Sequence, residues 1–191
     1  MSPLDYVRQH IAAFLREVAS LREREFPFPH SREALERISN SLKEQQGYLE
    51  PIDDNWPPDD VDQACSDALH QVSLYLPLLG FVSNSTNVRN AFEIHGPLLR
   101  LARDILTPIG SLAPEEISIV LSAEWEYTPF IYAGLYDQEE LKGFIFIGFP
   151  VTESSNVLVI PLAGHELGHI VWNELELERL LRHEFVEKTK Q

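Results

Sequence analysis

The chain has 191 residues, 44% hydrophobic and 24% charged, an ordinary globular composition with enough length for one substantial core or two small ones. Its formal net charge of −15 argues against a nucleic-acid partner and an anionic membrane surface, because such partners are bound by basic patches and only 15 Lys and Arg are spread along the chain. No apolar run approaches the roughly 18 residues that predict a membrane-spanning helix.

The amino terminus and the cysteine content favour a cytoplasmic setting. At the amino terminus no basic segment is followed by an apolar core, so no signal peptide is visible. Cys65 is the one cysteine, which excludes an intrachain disulfide framework and a cysteine-rich zinc site. Because Cys65 falls in a helical pattern without histidine or asparagine context, we predict a small buried side chain rather than a nucleophile.

The spacing of apolar residues predicts four helices in the amino-terminal half. Their approximate bounds are residues 3–25, 31–47, 60 to between 77 and 80, and 86–106. Gly96-Pro97 is expected to kink or divide the fourth helix, since Pro97 cannot donate to the helical hydrogen bonds. The acidic, proline-rich stretch 48–60 has no apolar period and is predicted to be a surface loop. A calcium loop is the less favoured alternative, because the required glycine and closing glutamate are absent. His70 and His95 have no partner at metal-ligand spacing, and a structural or exposed role is expected for both.

Composition changes at 107–110, after which aromatic and β-branched residues dominate. Four strands are predicted, at residues 117–123, 130–133, 143–149 and 157–160. The connections at 137–140 and 152–156 are short enough for a hairpin or meander, so we expect a mixed or antiparallel sheet. The predicted fold class is α+β, with a helical region at residues 1–106 and a small sheet leading into a further helix at residues 107–191.

A metal-ligand spacing lies in that last helix, where His165-Glu166-Leu167-Gly168-His169 reads H-E-x-x-H. On a helix the two imidazoles lie one turn apart on one face and can share one metal ion. Glu166 is rotated about 100° around the axis, so its carboxylate can reach a metal-bound water without displacing it, as a general base does. The alternative is coincidence, with two histidines and a glutamate that cap or pack on an ordinary helix.

The residues around the motif support a metal site. The run 157–160 is apolar and mostly β-branched, which predicts a buried strand, and 161–164 then turns the chain into the helix. The variable motif positions and the two residues after the motif are uncharged. We therefore expect a helix that is buried on most sides and holds its ligands in a dry cavity.

Over about Leu162 to Val171 the sequence resembles the zinc-dependent metallopeptidases called zincins. The resemblance implies that His165 and His169 bind Zn²⁺, that Glu166 activates water, and that the substrate is a peptide or protein. In that fold an edge strand of the sheet lies beside the metal cleft and pairs with the substrate. The strand predicted at 143–149 is the candidate, although its hydrophobicity on both faces favours a central strand without a ligand role.

The resemblance does not extend to a third ligand at fixed spacing. The metzincin pattern H-E-x-x-H-x-x-G-x-x-H is excluded, because Trp172 and Leu175 stand where its glycine and third histidine would be. A gluzincin-like or related pattern remains, in which a third ligand, usually Glu, comes from a later helix. Trp172 and Asn173 return to the histidine face of the motif helix but lie about 10 to 12 Å along its axis from His165. Zinc ligands lie within about 2.0 to 2.3 Å of the metal, so the chain must turn before it can complete the site.

Two sources of a third ligand stay open. Residues 173–176 resemble a capping box that opens a second helix, which could bring His183, Glu184 or Glu187 back towards the metal. Because no glycine or proline follows Gly168, a sharp hinge is not expected. We expect instead that the chain is the amino-terminal part of a longer protein, or a shortened relative, and that the third ligand lies after its last residue.

Two functions are compatible with these features. The first is a zinc metallopeptidase that hydrolyses peptide bonds by metal-activated water, with Glu166 as general base. The second is an inactive zincin-like regulatory or protein-interaction module, whose helical half binds a partner. The first is favoured, because a binding module has no need of a base between two metal ligands.

Overall fold

The computed structural model shows an α+β fold and describes residues 2–53, 55–86, 92–109, 112–124, 130–132, 139–153, 156–179 and 181. The helices are α1 (Pro3–Arg22), α2 (Pro29–Leu49), α3 (Pro58–Asn84), α4 (Phe92–Leu106) and α5 (Ile160–Glu174). The strands are β1 (Ser118–Glu124), β2 (Phe130–Ile131) and β3 (Phe144–Pro150). No helix in this described part is both long and apolar enough to cross a membrane.

The first compact unit, Met1–Val88, consists of α1, α2 and α3, each of which contacts the other two. The predicted start of α1 is confirmed: the Ser2 hydroxyl accepts a hydrogen bond from the Asp5 amide at 3.1 Å, which satisfies one of the free donors of the first turn. Arg8 of α1 binds the chain at the end of α2. One of its terminal nitrogens donates hydrogen bonds to the carbonyl oxygens of Leu49 and Ile52, at 2.7 and 2.6 Å.

Cys65 is buried in α3, as the sequence predicted. Burial raises the pKa of its thiol, and the nearby charge of Asp62 raises it further. A thiol with a raised pKa is mostly protonated at neutral pH and is a poor nucleophile. The cysteine therefore contributes packing to this unit.

Prolines interrupt the helices less than the sequence suggested. The prediction that α3 ends between residues 77 and 80 is wrong, because the helix continues through Pro77 to Asn84. Leu78 and Phe81 after the proline are buried, and their packing offsets the lost hydrogen bond. Pro97 likewise lies inside α4 without dividing it.

The second compact unit, Arg89–Gln191, contains α4, the sheet and α5. Its boundary precedes α4, whereas the sequence suggested a division after residue 106. The composition change at 107–110 marks the beginning of the strand-rich segment, and α4 packs with that segment because it contacts both β1 and α5.

The sheet has the order β1-β3-β2, with β1 parallel and β2 antiparallel to β3. It is the mixed sheet expected from the sequence. The strand predicted at 143–149 corresponds to β3, which is buried along its whole length and central among the described strands, so its candidacy as an edge strand is wrong. The prediction of a strand at 157–160 is also wrong, since residues 157–159 form a 3₁₀ turn that leads into α5.

The core of this unit is formed by apolar residues of α4, β1, β3 and α5. Its fully buried members from the strands include Ile119, Leu121, Ile145, Ile147 and Phe149. Alternate residues of a strand share one face of a sheet, so these five side chains define a single face. The two helices lie against it, so the motif helix packs on the sheet.

A substitution at Gly148 of β3 tests how closely β2 packs against β3. It pairs with Phe130 across the antiparallel ladder, and a β carbon at position 148 would lie 2.5 Å from the Phe130 ring. We predict that Gly148→Ala lowers the free energy of unfolding by about 1 kcal/mol, the low end of overpacking costs, because the far end of the half-buried Phe130 ring must move. Chemical denaturation followed by circular dichroism measures the change.

Gly164→Ala is the matched control, because its β carbon would make an ordinary 3.7 Å contact with Leu101. As a glycine-to-alanine change inside a helix, it should stabilise by roughly 0.5 to 1 kcal/mol. Phe130→Ala combined with Gly148→Ala should cost less than the sum of the two single changes. A Gly148→Ala protein as stable as the parent would contradict the close approach of ring and backbone.

Candidate metal centre

The helix that carries the motif begins earlier than the sequence suggested. The Asn156 side chain accepts a hydrogen bond from the Leu158 amide at 3.0 Å and so begins the 3₁₀ turn. Ile160 and Pro161 follow as the first residues of α5, where the fixed φ of proline favours helix and its missing N–H costs nothing. A short apolar run cannot be assigned to strand or helix by periodicity alone. Here Asn156 and Pro161 favour the helix.

One narrow stripe of α5 is buried. Ala163, Leu167 and Ile170 are its buried residues and belong to the core of the second unit. Through them α5 contacts α4, and it also lies against β2. The remainder of the helix surface is partly or fully exposed.

The two histidines of the motif lie on the side of α5 away from this stripe, and Glu166 lies between the two sides. The ring centroids of His165 and His169 are 5.1 Å apart, with the ring planes 82° to one another. One ligand atom from each ring and one Glu166 carboxylate oxygen all lie within 4.8 Å of one another. The predicted placement of the two imidazoles on one helical face is confirmed, with the carboxylate beside them.

The expected dry cavity is not present among the described residues. Both imidazoles are exposed and Glu166 is half-buried. Uncharged residues at the variable motif positions and at the two positions after the motif had suggested a helix buried on most sides, but of these four only Leu167 and Ile170 are buried. The uncharged residues of this helix therefore form an exposed apolar surface as well as the buried stripe.

That apolar surface flanks the histidines on both sides. Leu162 precedes them with 52% of its surface exposed, and Trp172 follows them with 41% exposed. Leu158, in the turn before α5, is 78% exposed. Sequence analysis missed this feature, although the signal was present in the uncharged residues around the motif.

The hinge that the sequence did not favour is present after α5. The helix ends at Glu174, and Glu176 adopts a left-handed conformation with φ of 46° before helical residues resume at Leu177. Glycine usually occupies this position after a helix, so a glutamate here carries a steric cost. An ion pair between Glu176 and Arg179 at 2.7 Å accompanies the turn. The possible third ligands His183, Glu184 and Glu187 lie outside the described residues.

Other features do not form a second metal site within the described residues. His70 is exposed on α3 and His95 is buried in α4, and neither belongs to a ligand cluster there. A groove of about 500 Å³ lies beside the end of α5. It is lined by Trp172, Asn173, Glu176, Glu178 and Arg179.

Comparison with models of known protein families, with curated proteins and with solved structures found no match to this chain.

Zinc titration of the purified chain tests the cluster. We expect His165→Ala and His169→Ala each to weaken zinc binding at least tenfold, because each removes one of two imidazoles that face the same point. His70→Ala is the control, since it removes an exposed imidazole elsewhere. Equal zinc affinity of the parent chain and the three variants would mean that the two rings make an edge-to-face contact and bind no metal.

The same titration locates any ligand in the segment after the hinge. If that segment completes the site, Glu184→Ala or Glu187→Ala should weaken zinc binding as strongly as loss of a histidine. If both variants bind as the parent does, neither glutamate is a ligand. His183 is tested in the same way by His183→Ala.

Proposed function

We propose that this chain is a zinc-dependent peptidase in which His165 and His169 hold the metal and Glu166 is the general base. The convergence of the three donor groups within 4.8 Å carries the proposal. A helix that only packed its histidines against neighbours would not need an acidic oxygen at the same point. Peptides or proteins are the proposed substrates, and nucleic acid is excluded from the proposal by the net charge of −15.

The ring geometry fits a shared tetrahedral metal. With metal–nitrogen distances of about 2.0 to 2.1 Å, two imidazoles on one zinc have their centroids roughly 5 Å apart. The observed separation of 5.1 Å needs little adjustment of the rings. Neutral imidazoles are also ligands that zinc accepts.

Glu166 is placed to move a proton. It is half-buried and lies one residue from His165, so its carboxylate is beside the two rings while the helix restrains its backbone. When bound, zinc supplies a Lewis acid that polarises the scissile carbonyl and makes nearby water acidic. The Glu166 carboxylate accepts a proton from the attacking water and returns it to the nitrogen of the leaving amine.

A peptide can reach these groups from solvent, because both imidazoles are exposed. The groove of about 500 Å³ next to Trp172 offers space for a substrate side chain one turn beyond His169. The proposal includes a cytoplasmic setting, which is supported by a single buried cysteine that needs no oxidising compartment.

The Glu166→Gln variant distinguishes the role of the general base from that of the metal ligands. We expect it to leave zinc binding and the fold intact and to lower kcat for peptide hydrolysis by about 10²- to 10⁴-fold, because only the proton acceptor is removed. Turnover of a fluorogenic peptide pool and zinc content are measured on the same protein. Glu174→Gln, an exposed carboxylate at the end of the same helix, is the control and should keep parental activity. Parental turnover in Glu166→Gln would show that another group is the base.

A second candidate is an inactive zincin-like regulatory or protein-interaction module. The exposed apolar residues beside the histidines favour it, because contiguous exposed apolar surface commonly marks a binding site. In that case zinc would be bound without hydrolysis of any peptide in the pool, and Glu166→Gln would change nothing. Full zinc occupancy with no turnover therefore selects this candidate over the peptidase.

A further inference from the structure

We propose that two copies of this chain bind one zinc ion between them, with His165 and His169 of each copy as the four ligands. The inference rests on the proposed metal site and concerns its regulation. It is carried by the incomplete ligand set of the described residues, by the uncharged apolar surface around that set, and by the placement of this surface about the centre of the motif.

Within the described residues, the two histidines are half of a closed zinc site. Structural zinc sites are almost always four-coordinate, whereas the described residues bring only two imidazoles and one carboxylate together. Both imidazoles are exposed, so they can meet a second molecule without rearrangement of the helix. A second copy supplies an identical pair and completes a tetrahedron of four nitrogens.

The surface around the pair suits contact with an identical surface. From residue 157 to residue 173 the one charged residue is Glu166, and that side chain is half-buried. Two copies of a chain with a net charge of −15 repel one another across most surfaces. They approach at the lowest electrostatic cost where charge is absent, which is on this side of α5.

The apolar residues are also arranged as a two-fold axis requires. Leu162 and Trp172 lie five residues before and after Leu167, the centre of the motif. At 100° and 1.5 Å per residue, both fall within an arc of roughly 80° that also contains the histidines, and each lies about 7.5 Å from the centre. When two such helices cross in antiparallel fashion at Leu167, Leu162 of one copy meets Trp172 of the other. Such a self-complementary patch is the requirement of an isologous dimer.

The metal is essential to this dimer. A pair of helices in contact over three turns buries less than the roughly 1,200 Å² of a stable interface, so the apolar contact alone does not hold the copies together. Four imidazoles also leave zinc no position for a substrate carbonyl. The zinc-bridged dimer is therefore a closed form, and hydrolysis belongs to the separate chain.

Molar mass and zinc content measured together test the inference. With zinc at half the chain concentration, light scattering should give twice the 21.9 kDa of the chain and 0.5 zinc per chain, and chelation should restore the single chain. A single chain with one tightly bound zinc would overturn the shared site and leave the proposed peptidase centre intact. No zinc uptake would refute the metal site itself, and a dimer that survives chelation would overturn the bridging role of zinc.

Leu162→Asp places a charge in the proposed contact without removing a ligand. It should lower zinc-dependent dimerisation at least tenfold, and Trp172→Asp should do the same from the other end of the patch. Leu76→Asp is the matched control, because Leu76 is also a helical leucine with 52% exposure and lies on α3. Circular dichroism establishes that each variant is folded. Parental dimerisation in both Leu162→Asp and Trp172→Asp would overturn the proposed interface.

Discussion

The burial of one narrow stripe of α5 is the constraint on which the centre depends. Ala163, Leu167 and Ile170 are held in the core by α4 and the sheet, and this fixes the rotation of the helix about its axis. Once the rotation is fixed, helical periodicity leaves His165 and His169 on the opposite side, exposed and in register. The buried side of α5 packs against α4 and the sheet, and this packing sets the position of the imidazoles. Contacts of the rings themselves do not set it.

Because packing leaves the imidazoles exposed, water weakens the electrostatic interactions of the centre. Glu166 lies between the buried and exposed sides of the helix and is half-buried, whereas the imidazoles face water. Charge interactions in such a site are weaker than in a closed cavity, because water screens them. Any strong preorganisation of a transition state must therefore come from groups that cover the exposed face, such as a substrate or another protein surface.

Local signals in the sequence predicted local structure well. The beginning of α1 and the histidine pair at i and i+4 depend on neighbouring residues alone, and both are as expected. The apolar runs that became β1 and β3 were equally clear, because β-branched and aromatic residues fill both.

The features that the sequence did not predict depend on tertiary context or on rare backbone conformations. Pro77 lies inside α3 because buried residues on both sides of it outweigh its cost. Glu176 adopts a left-handed conformation that is usual for glycine, so a search for glycine misses the hinge. The exposure of α5 was misjudged for a related reason: uncharged residues are as consistent with a contact surface as with a core, and only the packing distinguishes them.

The two proposed uses of the centre exclude one another at a single metal ion. Hydrolysis needs an open coordination position on zinc, and a pair of histidines from a second copy would fill that position. Separate chains are favoured when zinc is in excess over the chain, since each histidine pair then finds its own ion. Shared zinc is favoured when the metal is scarce and the chain is abundant, because two pairs then compete for one ion. The balance between zinc and chain would thus set whether Glu166 faces a substrate or the helix of a second copy.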